Sequence, residues 1–281
     1  MPAKPTLGQN FLNDAEAIQR IAASLGDLRG RTVIEIGPGQ GAITTALAAR
    51  AGHLVAIELD RELALRLRAQ FPGGNEARVT VIEQDALQFD FAAAAAVAGE
   101  RLLVVGNLPY GITSQILLKL AASHASLDRA VLMVQREVAD RVAAEPGSRD
   151  YGLLSVTVQL FGPAQKLFTL PPSAFTPPPD VHSTVFRWRF APRFAELGVD
   201  ETSFLRFVRQ CFHQKRKTLA NNLRAARFSP AAIAAALAHG KVPALARAEA
   251  LPIESLAALW RFLKTNEATS QDEAAIHSKS S

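Results

Sequence analysis

Asn107, Leu108, Pro109 and Tyr110 follow the apolar run Leu102-Leu103-Val104-Val105-Gly106, whose length and β-branched content predict a buried strand. Pro109 has no N–H and disfavours a helical conformation at Leu108, so the chain must leave the strand in a stiff, extended turn. Such a turn gathers a side-chain amide (Asn107), a main-chain carbonyl lacking its usual local partner (Leu108) and an aromatic face (Tyr110). These groups suit reaction at an amino group on a flat heterocycle. The exocyclic amine of an adenine is a poor nucleophile because its lone pair is delocalised into the ring. Two acceptors aimed at its N–H groups draw that pair back onto nitrogen, and a stacked ring holds the base still. An ordinary strand-end turn with a core tyrosine fits the tetrapeptide equally well.

The elements that would position this turn read as an open α/β sheet. Thr32-Val33-Ile34-Glu35-Ile36 predicts a strand that runs into Gly37-Pro38-Gly39-Gln40-Gly41, and Ala42 to Leu47 opens a helix. Glycines at 37, 39 and 41 let backbone approach a ligand closely and put helix N–H groups beside it. Their spacing differs from the G-x-G-x-x-G dinucleotide fingerprint, and Glu35 just ahead of the turn is unwelcome beside a diphosphate. A cofactor with a positive charge and an amino-acid portion fits better. The next strand, Leu54 to Ile57, ends in Glu58, placed to accept from ribose hydroxyls. Val79 to Ile82 is followed by Asp85, which could accept from the amino group of a cofactor adenine. Each acid alone reads more readily as a solvated strand end. Four strand ends bearing Gly37, Glu58, Asp85 and Asn107 are harder to dismiss, because ligands of open α/β sheets bind at the carboxyl edge of the strands.

Further strands are expected at 129–135, 166–170 and 183–190, with a helix over 151–161 for which a strand is the alternative. Five prolines in the nine positions Pro171 to Pro179 stiffen a loop that fixes Phe175. That ring could cover a base opposite Tyr110, or pack in the core. At the N-terminus, Leu7, Phe11 and Leu12 argue that the leader, with Lys4 and Gln9, packs against the domain. Beyond residue 200 the character changes to short helices, with Arg206, Arg209, Lys215, Arg216, Lys217, Arg224 and Arg227 and no acid between 206 and 227. A solvated face is the common meaning of such a run; a surface that tracks phosphates is the other. The expected domains are 1–192, 200–263 and a disordered polar tail over 264–281.

The 281 residues are 48% hydrophobic, enough for a substantial core, and the net charge of +5 points weakly to a polyanionic partner. With one cysteine, Cys211, no internal disulfide can form, and the six histidines are scattered, so no metal site is implied. No signal-peptide pattern and no apolar run of membrane-spanning length are present, so a soluble, cytoplasmic protein is expected.

Taken jointly, Gln9-Asn10-Phe11-Leu12, Glu35 to Gly41, Asn107 to Tyr110, Phe175-Thr176-Pro177-Pro178-Pro179 and the block Lys215 to Leu223 resemble the rRNA adenine N6-dimethyltransferases. The likeness is greatest to their bacterial small-subunit branch, the kasugamycin-sensitivity methyltransferases, and runs over roughly residues 5–263. The resemblance implies a Rossmann-like class I methyltransferase with a seven-stranded, mostly parallel sheet and a small all-helical C-terminal domain. It implies S-adenosylmethionine as methyl donor, without a metal, held by Asn10, Leu12, Gly37, Glu58, Asp85 and Asn107. The target adenine would lie between Tyr110 and Phe175, its amine held by the Asn107 side chain and the Leu108 carbonyl. The implied substrate is a pair of adjacent adenosines in a hairpin loop near the 3′ end of 16S rRNA in the small ribosomal subunit, with the enzyme acting as a monomer. A DNA adenine methylase is disfavoured by the small basic C-terminal helices. A non-catalytic assembly or transcription factor is disfavoured by the intact Asn107–Tyr110 and glycine turns, and an NAD-linked enzyme by the glycine spacing.

Overall fold

The computed structural model describes residues 10–72 and 78–278, with side chains to 265. Lys4, Leu7 and Gln9 of the leader, and the last three residues of the tail, lie outside the described residues. In chain order the elements are β1 (Phe11–Leu12), α1 (Ala15–Ser24), β2 (Thr32–Ile36), α2 (Ala42–Ala48), β3 (His53–Glu58), α3 (Arg61–Gln70), β4 (Val79–Glu83), α4 (Phe91–Ala98) and β5 (Leu102–Asn107). There follow α5 (Thr113–Ala122), β6 (Leu127–Gln135), α6 (Arg136–Val142), α7 (Leu153–Leu160), β7 (Ala164–Leu170), β8 (Phe175–Thr176), β9 (Ser183–Arg189), α8 (Phe194–Leu197), α9 (Glu201–Cys211), α10 (Leu219–Ala225), α11 (Pro230–His239) and α12 (Ile253–Ser278).

The chain divides into two compact units, Met1–Ala143 with Phe161–Ala191, and Ala144–Leu160 with Pro192–Ser281. The first holds a seven-stranded sheet in the order β4-β3-β2-β5-β6-β9-β7 and a two-stranded sheet of β1 and β8. From β4 to β6 all neighbours are parallel, whereas β9 runs antiparallel to both β6 and β7. The central strands are near-continuous apolar runs because helices cover both faces of a parallel sheet; Val33, Ile34, Leu103, Val104 and Val105 have no exposed surface. Aspartates start the covering helices: Asp14 accepts one main-chain N–H, and Asp60 and Asp90 two each, at the first turns of α1, α3 and α4.

Order reverses between β2 and β5: the chain after β2 moves outward through β3 and β4, and β5 returns to the other side of β2. That is the topological switch point, where such sheets open a crevice at their carboxyl ends. Gly106 lets β5 sit this close. A Cβ there would stand 2.7 Å from the Ile36 carbonyl oxygen, a distance backbone cannot yield cheaply.

In the second unit, Phe204, Phe207, Val208 and Cys211 form the buried stripe of α9, and Phe207 packs on Trp260 with ring centres 5.2 Å apart. Residues 144–160, expected within a continuous first domain, belong here. The Gly147 N–H donates to the Glu249 carbonyl at 2.7 Å, and the Tyr151 ring meets Phe212 edge-on. The strands on either side of this excursion read as continuous in sequence, which hides it. α7 is helical, resolving the 151–161 alternative. α12 continues to Ser278, so the backbone is helical where the polar composition predicts a disordered tail; Glu267-Ala268 and Glu273-Ala274-Ala275 are good helix formers.

Candidate active site

Four neighbouring strands deliver the residues singled out at the sheet's carboxyl edge. Gly37 follows β2, Glu58 ends β3, Asp85 lies beyond β4 and Asn107 ends β5. Gly37, Gly39 and Gly41 have φ of 67, 57 and 83°, so the turn alternates through the left-handed region that only glycine enters freely. A Cβ on Gly39 would also stand 3.0 Å from two carbons of the Phe11 ring. The glycine N–H groups of the turn are already engaged: Gly37 donates to the Ile57 carbonyl and Gly39 to Glu58 Oε2 at 3.0 Å, both on β3, and Gly41 donates to the Pro38 carbonyl within the turn. What the glycines provide is therefore backbone free of side chains, rather than a fan of N–H donors.

Glu58 is buried, 4% exposed, and its Oε1 accepts from the Asp60 N–H at 2.9 Å. It pins the glycine turn to β3 and keeps lone pairs on both oxygens for further donors. The half-buried Asp85 accepts from the Leu87 N–H at 2.9 Å. Glu35 has a different role from either. It is 1% exposed and accepts the Thr44 hydroxyl at 2.7 Å. Desolvation pushes its carboxyl up to about 7, with the charge of Glu58 adding to the rise and the Thr44 hydrogen bonds opposing it.

The turn after β5 is anchored at each end. The Leu108 N–H donates to the Met133 carbonyl at 3.0 Å, and the Thr113 hydroxyl donates to the Pro109 carbonyl at 2.9 Å. No described group donates to the Leu108 carbonyl. The Asn107 Nδ2 donates to the Asn10 carbonyl at 3.0 Å. Tyr110 is half-buried, and its hydroxyl lies 3.2 Å from Ser183 Oγ. β1 pairs with β8, so that Leu12 stands opposite Phe175 and Phe11 opposite Thr176. Phe175 is 3% exposed and packs in a core cluster with Leu12, Leu170 and Ala174. As it stands the ring is covered, whereas Tyr110 is accessible.

This constellation sits at the switch point of a parallel sheet. The ribosomal RNA adenine dimethylase family matches residues 2–265 of the chain. The chain belongs to that family. The ribosomal RNA small subunit methyltransferase A of Acidobacterium capsulatum is 62% identical over 261 residues, covering 93% of this chain and 91% of the relative. Among solved structures, the 23S rRNA methyltransferase ErmE is 27% identical with a TM-score of 0.69, covering 91% of this chain and all of that one. A dimethyladenosine transferase from Plasmodium falciparum shares the fold at a TM-score of 0.76 and 23% identity, covering 91% of this chain and 98% of its own. The architecture is that of class I S-adenosylmethionine-dependent methyltransferases, with a helical C-terminal region.

Some supporting contacts become visible only in the structure. Ser183 holds Tyr110, and Asn13 donates through Nδ2 to the Thr176 hydroxyl at 2.6 Å. Both are single polar residues at strand ends, a signal too common to single them out. In the second unit Asn222, 3% exposed, donates to the carbonyls of Cys211 and Gln214 and accepts from the Gln214 N–H. It ties down the turn that carries the exposed Lys215, Arg216 and Lys217. Among the described residues, none of the seven cations from Arg206 to Arg227 forms an ion pair. No described group of three or more histidines, cysteines or acids is placed to hold a metal.

Proposed function

We propose that the chain transfers methyl groups to N6 of two adjacent adenosines in a hairpin loop near the 3′ end of 16S rRNA, giving N6,N6-dimethyladenosines late in small-subunit assembly. The observation that carries this is the placing of the Asn107 amide beside the Leu108 carbonyl, which no described group engages in a residue 1% exposed, next to the side-chain-free glycine turn at the switch point. The small-subunit substrate follows the name of the relative at 62% identity.

S-adenosylmethionine, when bound, supplies a methyl group activated by a sulfonium. The residues present fit it. Glu58 and Asp85 are acceptors with lone pairs to spare, suited to ribose hydroxyls and an adenine amine, and no lysine or arginine lies between 35 and 41 to call for a pyrophosphate. Asn10, Leu12 and Gly37 would line the same cofactor, and Asn107 would lie between it and the target base.

The amine of the first adenosine would donate one N–H to Asn107 Oδ1 and the other to the Leu108 carbonyl. Both bonds favour a pyramidal nitrogen whose lone pair points at the methyl, and no strong base is needed, because the proton becomes acidic only after the C–N bond forms. The monomethylated amine keeps one N–H for one acceptor, enough to orient a second transfer. The dimethylated product keeps none, so both acceptors lose their partner and release is favoured. Tyr110 would stack on the base and offset the cost of unstacking it from the loop by about 1–3 kcal/mol. Phe175 could supply a second face only once its ring is uncovered. The cations of the second unit would track phosphates. A monomer acting on the ribosome in the cytoplasm is part of this reading.

The test is transfer of labelled methyl from S-adenosylmethionine to unmethylated small subunits, with free rRNA, large subunits and DNA in parallel. Dimethyladenosine confined to small-subunit RNA supports the proposal; label in large subunits or DNA relocates the substrate, and tight subunit binding without label favours an assembly factor.

A further inference from the structure

The leader strand is two residues long, yet it meets three parts of the site. The Phe11 ring fills the space left by the missing side chain of Gly39. β1 pairs with the strand of Phe175, reinforced by the Asn13 N–H to the Ala174 carbonyl at 2.9 Å and the Asn13 side chain to Thr176 Oγ1 at 2.6 Å. Just before the strand, the Asn10 carbonyl receives the Asn107 Nδ2 at 3.0 Å.

The last contact decides more than distance. A side-chain amide has a donating end and an accepting end, and a carbonyl can face only the donating one. Turned over, the Asn107 amide would set its oxygen against the Asn10 oxygen, two acceptors with no proton between them. The contact therefore selects one of two rotations related by a half-turn, and in that rotation Oδ1 points away from Asn10. An untethered amide would also present Nδ2, and a donor set against the N–H groups of an amine repels it and leaves its lone pair in the ring.

We propose that the Asn10 main-chain carbonyl is a positioning group for methyl transfer: it locks the rotation of the Asn107 amide so that Oδ1 meets the target amine, and the Asn13–Thr176 bond holds the leader that carries it. This rests on the reading of Asn107 given above. It explains why an asparagine suits position 107 where an aspartate would serve equally as a mere acceptor. The carboxylate would keep its oxygens for the amine but lose the donor to Asn10 and press a negative charge on that carbonyl.

The experiment measures kcat and KM of the full chain on unmethylated small subunits, together with the S-adenosylmethionine Kd and Tm, for Asn107→Asp, Asn107→Ala, Asn13→Ala, Thr176→Val and Thr176→Ser. Asn107→Asp is expected to lose kcat by about 100-fold, nearly as much as Asn107→Ala, with a change in cofactor Kd far smaller than the loss in kcat and with Tm near the parent value. Asn13→Ala and Thr176→Val should each lower kcat by about 3- to 10-fold without a matching rise in cofactor Kd, and Thr176→Ser, which keeps the hydroxyl, should restore it. An Asn107→Asp enzyme as fast as the parent, beside an inactive Asn107→Ala, would overturn the locking role and leave the acceptor role intact. Full turnover by Asn107→Ala would instead remove Asn107 from the chemistry and sink the reading beneath it. Unchanged kcat in both Asn13→Ala and Thr176→Val would overturn the part given to the leader.

Discussion

The Tyr110 hydroxyl lies 3.2 Å from the hydroxyl of Ser183, a residue 1% exposed. Two elements far apart in sequence, the turn after β5 and the first residue of β9, thus fix one aromatic ring, at its base through the main chain and at its tip through a hydrogen bond. The ring is held before any base arrives, so little side-chain freedom remains to be lost on stacking.

Removing that bond from either side should matter less than removing the ring. Tyr110→Phe and Ser183→Ala are each expected to cost about 1 kcal/mol, read as a several-fold rise in KM for small subunits. Tyr110→Ala deletes the stacking face and should weaken base binding by about 1–3 kcal/mol. Methylation kinetics on the same subunit preparation compare the three. A Tyr110→Phe enzyme as poor as Tyr110→Ala would assign the role to the hydroxyl instead of the face.

Phe175 calls for a different comparison because its ring is covered. Phe175→Ala empties a core position and should lower stability by about 3–5 kcal/mol, which by itself reduces activity. Phe175→Leu keeps most of the packing and removes the flat face. If the ring is uncovered during the reaction and stacks on the base, Phe175→Leu should melt near the parent temperature yet turn over markedly more slowly. Parent-like turnover would restrict Phe175 to the core.

Much of this site was legible because its signals are local. The glycine turn, the acid at the end of β3 and the Asn107–Tyr110 turn each announce themselves within a few residues, and the apolar strands before them set their common edge. The tether from Asn107 to Asn10 and the bond from Asn13 to Thr176 leave no such trace. Each joins residues 97 and 163 positions apart, through groups that hydrogen-bond equally well to water. Phe175 was ambiguous for a related reason: a proline-rich loop fixes where a ring can go but not what covers it, and the cover is Leu12 and its neighbours. The excursion of residues 144–160 was hidden because its partners, Glu249 and Phe212, lie far downstream.

Glu35 makes stability depend on pH in a direction opposite to a salt-bridged acid. Its folded value of about 7 lies above the ordinary 4.5, so between those values the unfolded chain has released the proton while the folded one keeps it. Unfolding then releases protons, and stability falls as pH rises from 4.5 to 7, levelling off above. The size is on the order of 3 kcal/mol. Glu35→Gln preserves an acceptor for Thr44 and carries no charge, so it should melt above the parent at pH 8 and converge with it near pH 4. Parallel melting curves for the two proteins across that range would show that Glu35 ionises freely in the folded state.

The cations of the second unit should act on affinity alone. Lys215, Arg216 and Lys217 are exposed and without a carboxylate partner among the described residues, and Asn222 holds their turn by three hydrogen bonds to Cys211 and Gln214. Free cations on a fixed turn can meet phosphates without first breaking ion pairs, and each phosphate neutralised releases condensed counterions. Replacing all three with glutamine should therefore weaken binding to small-subunit RNA and reduce the slope of log affinity against log salt by about 2–3. At saturating RNA, kcat should stay near the parent value, since none of the three belongs to the Asn107 turn. Asn222→Ala keeps every charge and frees the turn, so it should weaken binding while leaving most of the salt slope in place. If the triple variant instead kept the parent slope, the run from Arg206 to Arg227 would be a solvated face and the phosphate contacts would lie elsewhere.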